Sequence, residues 1–187
     1  RVPLVPKQCA HLRNDLKLDL VVQPSPVRIF QDEEYSQVGL PMQEDIHDRD
    51  LLLGVKEVPI DQLISGKTYC FFSHTHKKQA YNRPLLNAVL DKKVHLVDYE
   101  VITDAKGRRL IAFGYFAGVV GAHNGIWTYG QRTGDFSLPR MKDIHDYAAA
   151  KKIYQDLNLP AIKIVLTGTG RVATGAAQVL KDMSIKQ

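Results

Sequence analysis

Cysteine is scarce in this sequence: Cys9 and Cys70 are the only two among 187 residues. Both lie in apolar-patterned segments and neither has a zinc-type partner spacing. They read as reduced core residues, and a cytoplasmic protein is expected. Long hydrophobic runs are missing too, since no stretch reaches the about 18 consecutive apolar residues that a membrane span needs. The first residues, Arg1-Val-Pro-Leu-Val-Pro-Lys7, lack the apolar h-region of a signal peptide. Blocks of like charge are also absent. The 25 Lys+Arg against 20 Asp+Glu give a formal charge of +5 that is spread along the chain. Nucleic acid is therefore not an expected partner, nor is a membrane, whereas a small anionic substrate would be welcomed. There is no internal repeat and no low-complexity tract. What remains, 44 % hydrophobic and 24 % charged residues, is enough for a packed core in one domain or two small ones.

The apolar pattern alternates between strand-like runs and helical periods. Leu18 to Gln23 reads as a strand stopped by Pro24-Ser25-Pro26. Asp32 to Val38 reads as a short helix with Asp32 placed to cap it. Leu51 to Lys56 is a nearly continuous apolar run, as in a buried parallel strand, and Tyr69 to Ser73 repeats that signature. Leu85 to Leu90 has helical spacing, and Val94 to Val97 is strand-like again. This alternation predicts an α/β domain with a mainly parallel sheet. Glu100 to Phe113 breaks the rhythm, with two extended runs around Asp104-Ala105-Lys106-Gly107, a hairpin-type loop. Gly114, Gly118, Gly121 and Gly125 then recur at spacings that let a helix approach a neighbour closely. Residues 130–142 read as a connector, His145 to Leu157 as an amphipathic helix, and Ile162 to Leu166 as a new strand after Pro160. These features place a domain boundary near residue 140, giving 1–140 and 141–187.

The sharpest local motif is Ile162-Lys-Ile-Val-Leu-Thr-Gly168-Thr-Gly170-Arg-Val-Ala173, an apolar strand followed by G-x-G-x-x-A and the helical run Val172 to Met183. In a dinucleotide-binding βαβ unit the first glycine makes the tight turn and the second admits the pyrophosphate. The small third residue lets helix and strand pack, and the helix N-terminus faces the phosphates. The context required of the motif is present, so Gly168, Thr169, Gly170, Arg171 and Val172 are expected to bind a nicotinamide dinucleotide. A plain glycine turn is the bland alternative. The ribose-binding acid that separates NAD from NADP is expected about 20 residues further on. The sequence reaches only Gln187, so the unit is expected to be the first βα piece of a longer nucleotide domain.

A second constellation lies where the inferred strands end: Lys56-Glu57, then His74, then Asp98-Tyr99-Glu100. Ligands of open α/β sheets bind beyond the carboxyl ends of strands, so these groups are candidates for one site. Each alone is equally compatible with a solvated turn. His74 and His76 resemble a metal pair, but no third ligand of suitable spacing stands out, and no metal is expected.

Several segments, in order, resemble the lysine–ketoglutarate reductase and saccharopine dehydrogenase (lysine-forming) family. They are Arg1-Val-Pro-Leu with Pro6, Leu53-Gly-Val-Lys-Glu57, Phe71-Phe-Ser-His-Thr75 with Lys77 and Gln79, Asp98-Tyr-Glu100, Gly107-Arg-Arg109, Ala112-Phe-Gly114, and Thr167-Gly-Thr-Gly170. The broader relatives are alanine dehydrogenase and the N-terminal part of proton-pumping transhydrogenase. The resemblance implies a Rossmann-like catalytic domain facing a nucleotide-binding domain across a cleft. It also implies interconversion of saccharopine with lysine and 2-oxoglutarate, using NAD or NADP. In that family pattern Lys56 looks like the amine base and His74 like the second acid–base, with Glu57 and Glu100 moderating and orienting them. A lysine must be tuned to act as a base near neutrality, whereas a histidine needs little tuning. Arg1, Lys77 and Arg109 match positions suited to binding the three carboxylates of saccharopine, and Phe113 lines the same substrate site. His76 has no family role of this kind and reads as surface or supporting. An alanine-dehydrogenase-like enzyme and a non-catalytic nucleotide-binding module of the same fold are the alternatives.

Overall fold

The computed structural model describes residues 2–185. The chain forms two compact units, Arg1–Ile111 and Ala112–Gln187. The boundary expected near residue 140 falls inside the second of these.

The first unit carries α1 (Pro6–Asn14), α2 (Asp32–Gln37), β1 (Leu51–Leu53), β2 (Thr68–Phe71), α3 (Arg83–Asp91) and β3 (His95–Asp98). The three strands form one parallel sheet in the order β1-β2-β3, with Leu52 level with Tyr69 and Phe71 level with Asp98. The fold is thus α/β with a parallel sheet, as the alternating pattern predicts. Central β2 has three buried residues in succession, Tyr69, Cys70 and Phe71, because both its edges and both its faces are covered. The run Leu51 to Lys56 behaves differently. Its regular strand stops at Leu53, and only Leu52 points inward, because β1 is the edge strand. Helix α3 supplies the crossover from β2 to β3 that parallel strands require. Pro84 in its first turn removes no needed donor, and Leu85 and Val89, four residues apart, turn into the sheet core beside Leu63 and Val94.

Two expectations for the N-terminal part are corrected. Leu18 to Gln23 forms no strand; Val22 makes only an isolated bridge with Met42. Asp32 does not cap α2 but lies inside its first turn, where its carboxylate meets Ser25 N–H and the Arg28 guanidinium. The cap is Gln31, whose N–H donates to Glu34 at 2.7 Å. Both helices pack through a small cluster of Cys9, Tyr35 and Leu40, so Cys9 is a core residue as expected.

The second unit carries α4 (Gly114–Thr133), α5 (Tyr147–Gln155) and α6 (Arg171–Asp182). Helix α4 runs further than the glycine-spaced segment, continuing into the expected connector until Gly134 ends it at φ 75°. Asp146 caps α5 by accepting from Ala149 N–H at 2.7 Å. The close approach predicted from the glycines is made by α4 against α6. A Cβ on Gly118 would lie 1.9 Å from the Val172 carbonyl, and one on Gly175 would lie 2.0 Å from the Tyr115 carbonyl. Gly121 and Gly125 face open space and take no part. Fully buried His123 joins this core to the rest of the unit, with Nδ1 2.7 Å from Tyr154 Oη and Nε2 2.8 Å from the Pro139 carbonyl. Burial of the ring pushes its pKa down from 6.5, against the opposing hydrogen bond to Pro139.

The strand expected at Ile162 to Leu166 is not formed, and Val165 is 88 % exposed. A strand is stabilised by its ladder partners, and among the described residues none lies beside this segment. The helix after it forms as expected, with Gly170 at its N-cap and Gly168 at φ 90°.

Candidate active site

The site lies in the first unit, where β2 and β3 end. Beyond Leu53 the ladder between β1 and β2 continues in two hydrogen bonds, Gly54 N–H to Cys70 O (2.9 Å) and Phe72 N–H to Val55 O (3.1 Å). This fixes Lys56 and Glu57 beside the chain that leaves β2. That chain enters Ser73 and His74, then a 3₁₀ turn at Thr75–Lys77. His74 opens the turn at φ 57° and Lys78 closes it at φ 54°, both left-handed. A non-glycine residue in that region is uncommon and costs of order 1 kcal/mol or more, so the surroundings must hold it there.

Glu100, two residues past β3, is where the charges meet. Its side chain is 9 % exposed, and His74 Nδ1 lies 2.8 Å from its Oε2. Its other oxygen, Oε1, faces Lys77 Nζ at 3.0 Å and Arg109 at 3.3 Å. Burial alone would raise the Glu100 pKa. Hydrogen bonds from His74 and Lys77, with the charges of Lys77 and Arg109, outweigh burial and hold it at about 2. Glu57 Oε1 lies 3.9 Å from His74 Nε2, on the far side of the ring. Phe72 stacks on the imidazole with centroids 6.4 Å apart, and Tyr99 packs edge-on against Phe72. Burial pushes the Tyr99 phenol up to about 12, which keeps it protonated near neutrality.

His76 also reaches this carboxylate group: its Nδ1 lies 3.5 Å from Asp98 Oδ2 and 3.8 Å from Glu100 Oε2. A third potential metal ligand therefore exists, contrary to the reading by spacing, because β3 delivers Asp98 and Glu100 to within 4.8 Å of His76. The charge of Glu100 is, however, already matched by Lys77 and Arg109, so a cation would have to displace them. The cluster is a network of ion pairs and hydrogen bonds centred on Glu100.

With this geometry in view, comparison with known proteins is decisive. Residues 1–120 match the family described as alanine dehydrogenase/PNT, N-terminal domain. The chain belongs to that family. The chain is 36 % identical to alpha-aminoadipic semialdehyde synthase of Arabidopsis thaliana over 97 % of its length, which spans 19 % of that protein. It is also 36 % identical to the mitochondrial alpha-aminoadipic semialdehyde synthase of Rattus norvegicus, over 98 % of the chain and 22 % of the relative. The saccharopine dehydrogenase [NAD(+), L-lysine-forming] of Emericella nidulans is 30 % identical over the whole chain, which covers 54 % of it. A solved L-alanine dehydrogenase superposes on 71 % of the chain, covering 38 % of its own, with a TM-score of 0.56 at 18 % identity. That likeness shows the fold alone. The family's α/β fold and the saccharopine branch resemblance are thus as expected. No helix among the described residues is long and apolar enough to cross a membrane.

Of the site residues predicted from this alanine dehydrogenase/PNT-type sequence, His74, Glu57, Glu100, Lys77 and Arg109 come together. Lys56 is exposed at the end of the β1 ladder. Arg1 lies outside the described residues. Phe113 caps α4 in the second unit, 43 % exposed, and Gly168, Thr169, Gly170, Arg171 and Val172 form the exposed turn into α6 of that unit. Gly168 adopts the tight turn its motif requires, and the space around the Gly170 Cα is open. Close packing in α6 is made by Gly175 against α4. Sequence reasoning missed Ser73 and the part played by Asp98 and His76. The signals for them were the place of Asp98 at a strand end and the polar Ser73 ending an apolar run.

Proposed function

We propose that this chain belongs to an NAD(P)-dependent oxidoreductase that interconverts saccharopine with lysine and 2-oxoglutarate. The observation that carries this reading is Glu100, a half-buried carboxylate gripped by His74, Lys77 and Arg109 at the carboxyl end of a parallel sheet. The identity to semialdehyde synthases and lysine-forming saccharopine dehydrogenases supports the choice of substrate.

In the oxidative direction a hydride leaves the carbon beside the secondary amine. Lys56, as its neutral amine, accepts the proton that the nitrogen gives up. Water then adds to the imine carbon, and collapse of the carbinolamine releases lysine and 2-oxoglutarate. His74 handles the protons of these hydrolytic steps. With its proton on Nδ1, the ring donates to Glu100 and leaves Nε2 as the proton acceptor, turned towards Glu57. Glu100 thereby fixes the tautomer and stabilises the imidazolium formed when water is deprotonated. Lys77 and Arg109 are about two-fifths exposed while Glu100 is covered. Their outward faces suit substrate carboxylates, Arg109 in a two-pronged contact. The turn from Gly168 to Val172 offers backbone N–H groups at the α6 N-terminus, which fits a pyrophosphate. The nicotinamide, when bound, supplies the two-electron acceptor.

The test uses the full-length protein and follows NAD(P)H absorbance with saccharopine, with lysine plus 2-oxoglutarate, and with pyruvate plus ammonia as control. Turnover with the first two, lost in Lys56→Met and His74→Gln, is expected. Turnover only with pyruvate would transfer the protein to an alanine-dehydrogenase-type reaction.

A further inference from the structure

Behind the residues assigned to chemistry lies a polar pair that no catalytic step uses. Ser73 is fully buried and Asp98 is 7 % exposed. Ser73 Oγ donates to Asp98 Oδ2 at 2.6 Å, across from the end of β2 to the end of β3. The same hydroxyl accepts from Thr75 N–H at 3.1 Å and meets Thr75 Oγ1 at 2.8 Å. One donor and two acceptor sites are all a hydroxyl has, and all three are used. These bonds bracket His74 on both sides, which accounts for its left-handed backbone. The other oxygen of Asp98, Oδ1, accepts from Glu100 N–H at 2.8 Å.

We infer that Asp98, acting through Ser73, is the positioning residue that sets the His74–Glu100 pair. One buried carboxylate holds the turn that presents the imidazole and, with its second oxygen, the backbone of the carboxylate that meets it. Neither partner of the pair is fixed by its own side chain alone. Glu100 is pulled outward by Lys77 and Arg109, and His74 sits in a conformation that a free turn would leave. The role is that of a hydrogen-bonded bridge between two strand ends, so a neutral group of the same shape that keeps both bonds should fill it. In Asp98→Asn the amide oxygen takes Glu100 N–H, and the amide nitrogen donates to Ser73 Oγ, whose proton turns to Thr75. His76, 3.5 Å from Asp98 Oδ2, makes a peripheral contact that this role does not need.

This inference rests on the proposed function for its kinetic readout only; a spectroscopic readout stands apart from it. In the full-length protein with ¹⁵N-labelled histidine, the His74 ring, assigned through His74→Gln, should show the Nδ1-protonated, hydrogen-bonded signature. Asp98→Ala and Ser73→Ala should abolish that signature, and Asp98→Asn should restore it. In turnover the two alanine variants should lose about 100-fold in kcat with little change in KM, the scale expected for a catalytic group misplaced by about 1 Å. Asp98→Asn should stay within about fivefold of the wild type. Should Asp98→Ala fail to fold, Ser73→Ala decides. An unchanged His74 signature in the folded alanine variants, or Asn behaving like Ala, overturns the inference. Absence of turnover in the wild type would instead overturn the proposed reaction and leave the spectroscopic result to decide the positioning role.

Discussion

The two units are organised by different forces. In the first, β2 and β3 end in charged and polar side chains, and position depends on hydrogen bonds to Glu100 and Asp98. In the second, α4 and α6 meet backbone to backbone at Gly118 and Gly175, where no side chain stands between them. A network of charges tolerates movement of a few tenths of an ångström and responds to pH. A helix crossing without side chains tolerates neither added volume nor shift, and pH reaches its unit through His123 and, further into acid, through Asp182. The difference teaches where to look for function: the adjustable region carries the proposed chemistry, and the rigid one carries a presented turn.

The largest effect on stability should come from filling the helix crossing. Gly118→Ala or Gly175→Ala puts a methyl group within about 2 Å of a carbonyl oxygen. A loss of about 3 kcal/mol is expected, measured by denaturant unfolding followed through the one tryptophan, Trp127 on α4. A loss below about 1 kcal/mol would mean that the helices are not in backbone contact. Next comes His123. Its pKa is depressed in the folded unit, so its contribution is complete above pH 6.5 and declines as the pH falls below that value. The slope should not exceed about 1.4 kcal/mol per pH unit, and His123→Asn should flatten it. The first unit should respond in a more acid window. Glu100 is held at about 2 against 4.5, so its stabilisation is complete above about pH 4.5 and is lost on falling towards about 2. Acid unfolding curves of wild type and Glu100→Gln should therefore converge at the acid end. The smallest effect sharpens the comparison from the other side. Gly121→Ala in the same helix meets nothing within 4 Å and should stabilise by about 0.5–1 kcal/mol.

Legibility in the sequence followed how local each feature is. Tyr69 to Ser73, Leu85 to Leu90 and His145 to Leu157 carry their periodicity in a few neighbouring residues, and the structure has β2, α3 and α5 there. His74, Lys77, Glu100 and Arg109 were legible from the resemblance, and the fold brings them to one point. Features that depend on a partner were not readable. Ile162 to Leu166 has the composition of a strand but no neighbour to pair with, and Leu51 and Leu53 look like core until β1 is found at the sheet edge. Asp32 has the chemistry of a helix cap, yet Arg28 claims its carboxylate first. Ser73 and Asp98 are 25 residues apart, and their bond exists only because β2 and β3 are adjacent and in register.

The most direct test of the account is the kcat/KM for saccharopine of the full-length protein carrying Glu100→Gln, measured with its folded fraction at pH 7. The account predicts a fall of about 100-fold or more in a protein that remains folded, because His74 loses the carboxylate that orients it. Activity within about threefold of the wild type would contradict it, and would mean that this carboxylate serves the fold and not the reaction.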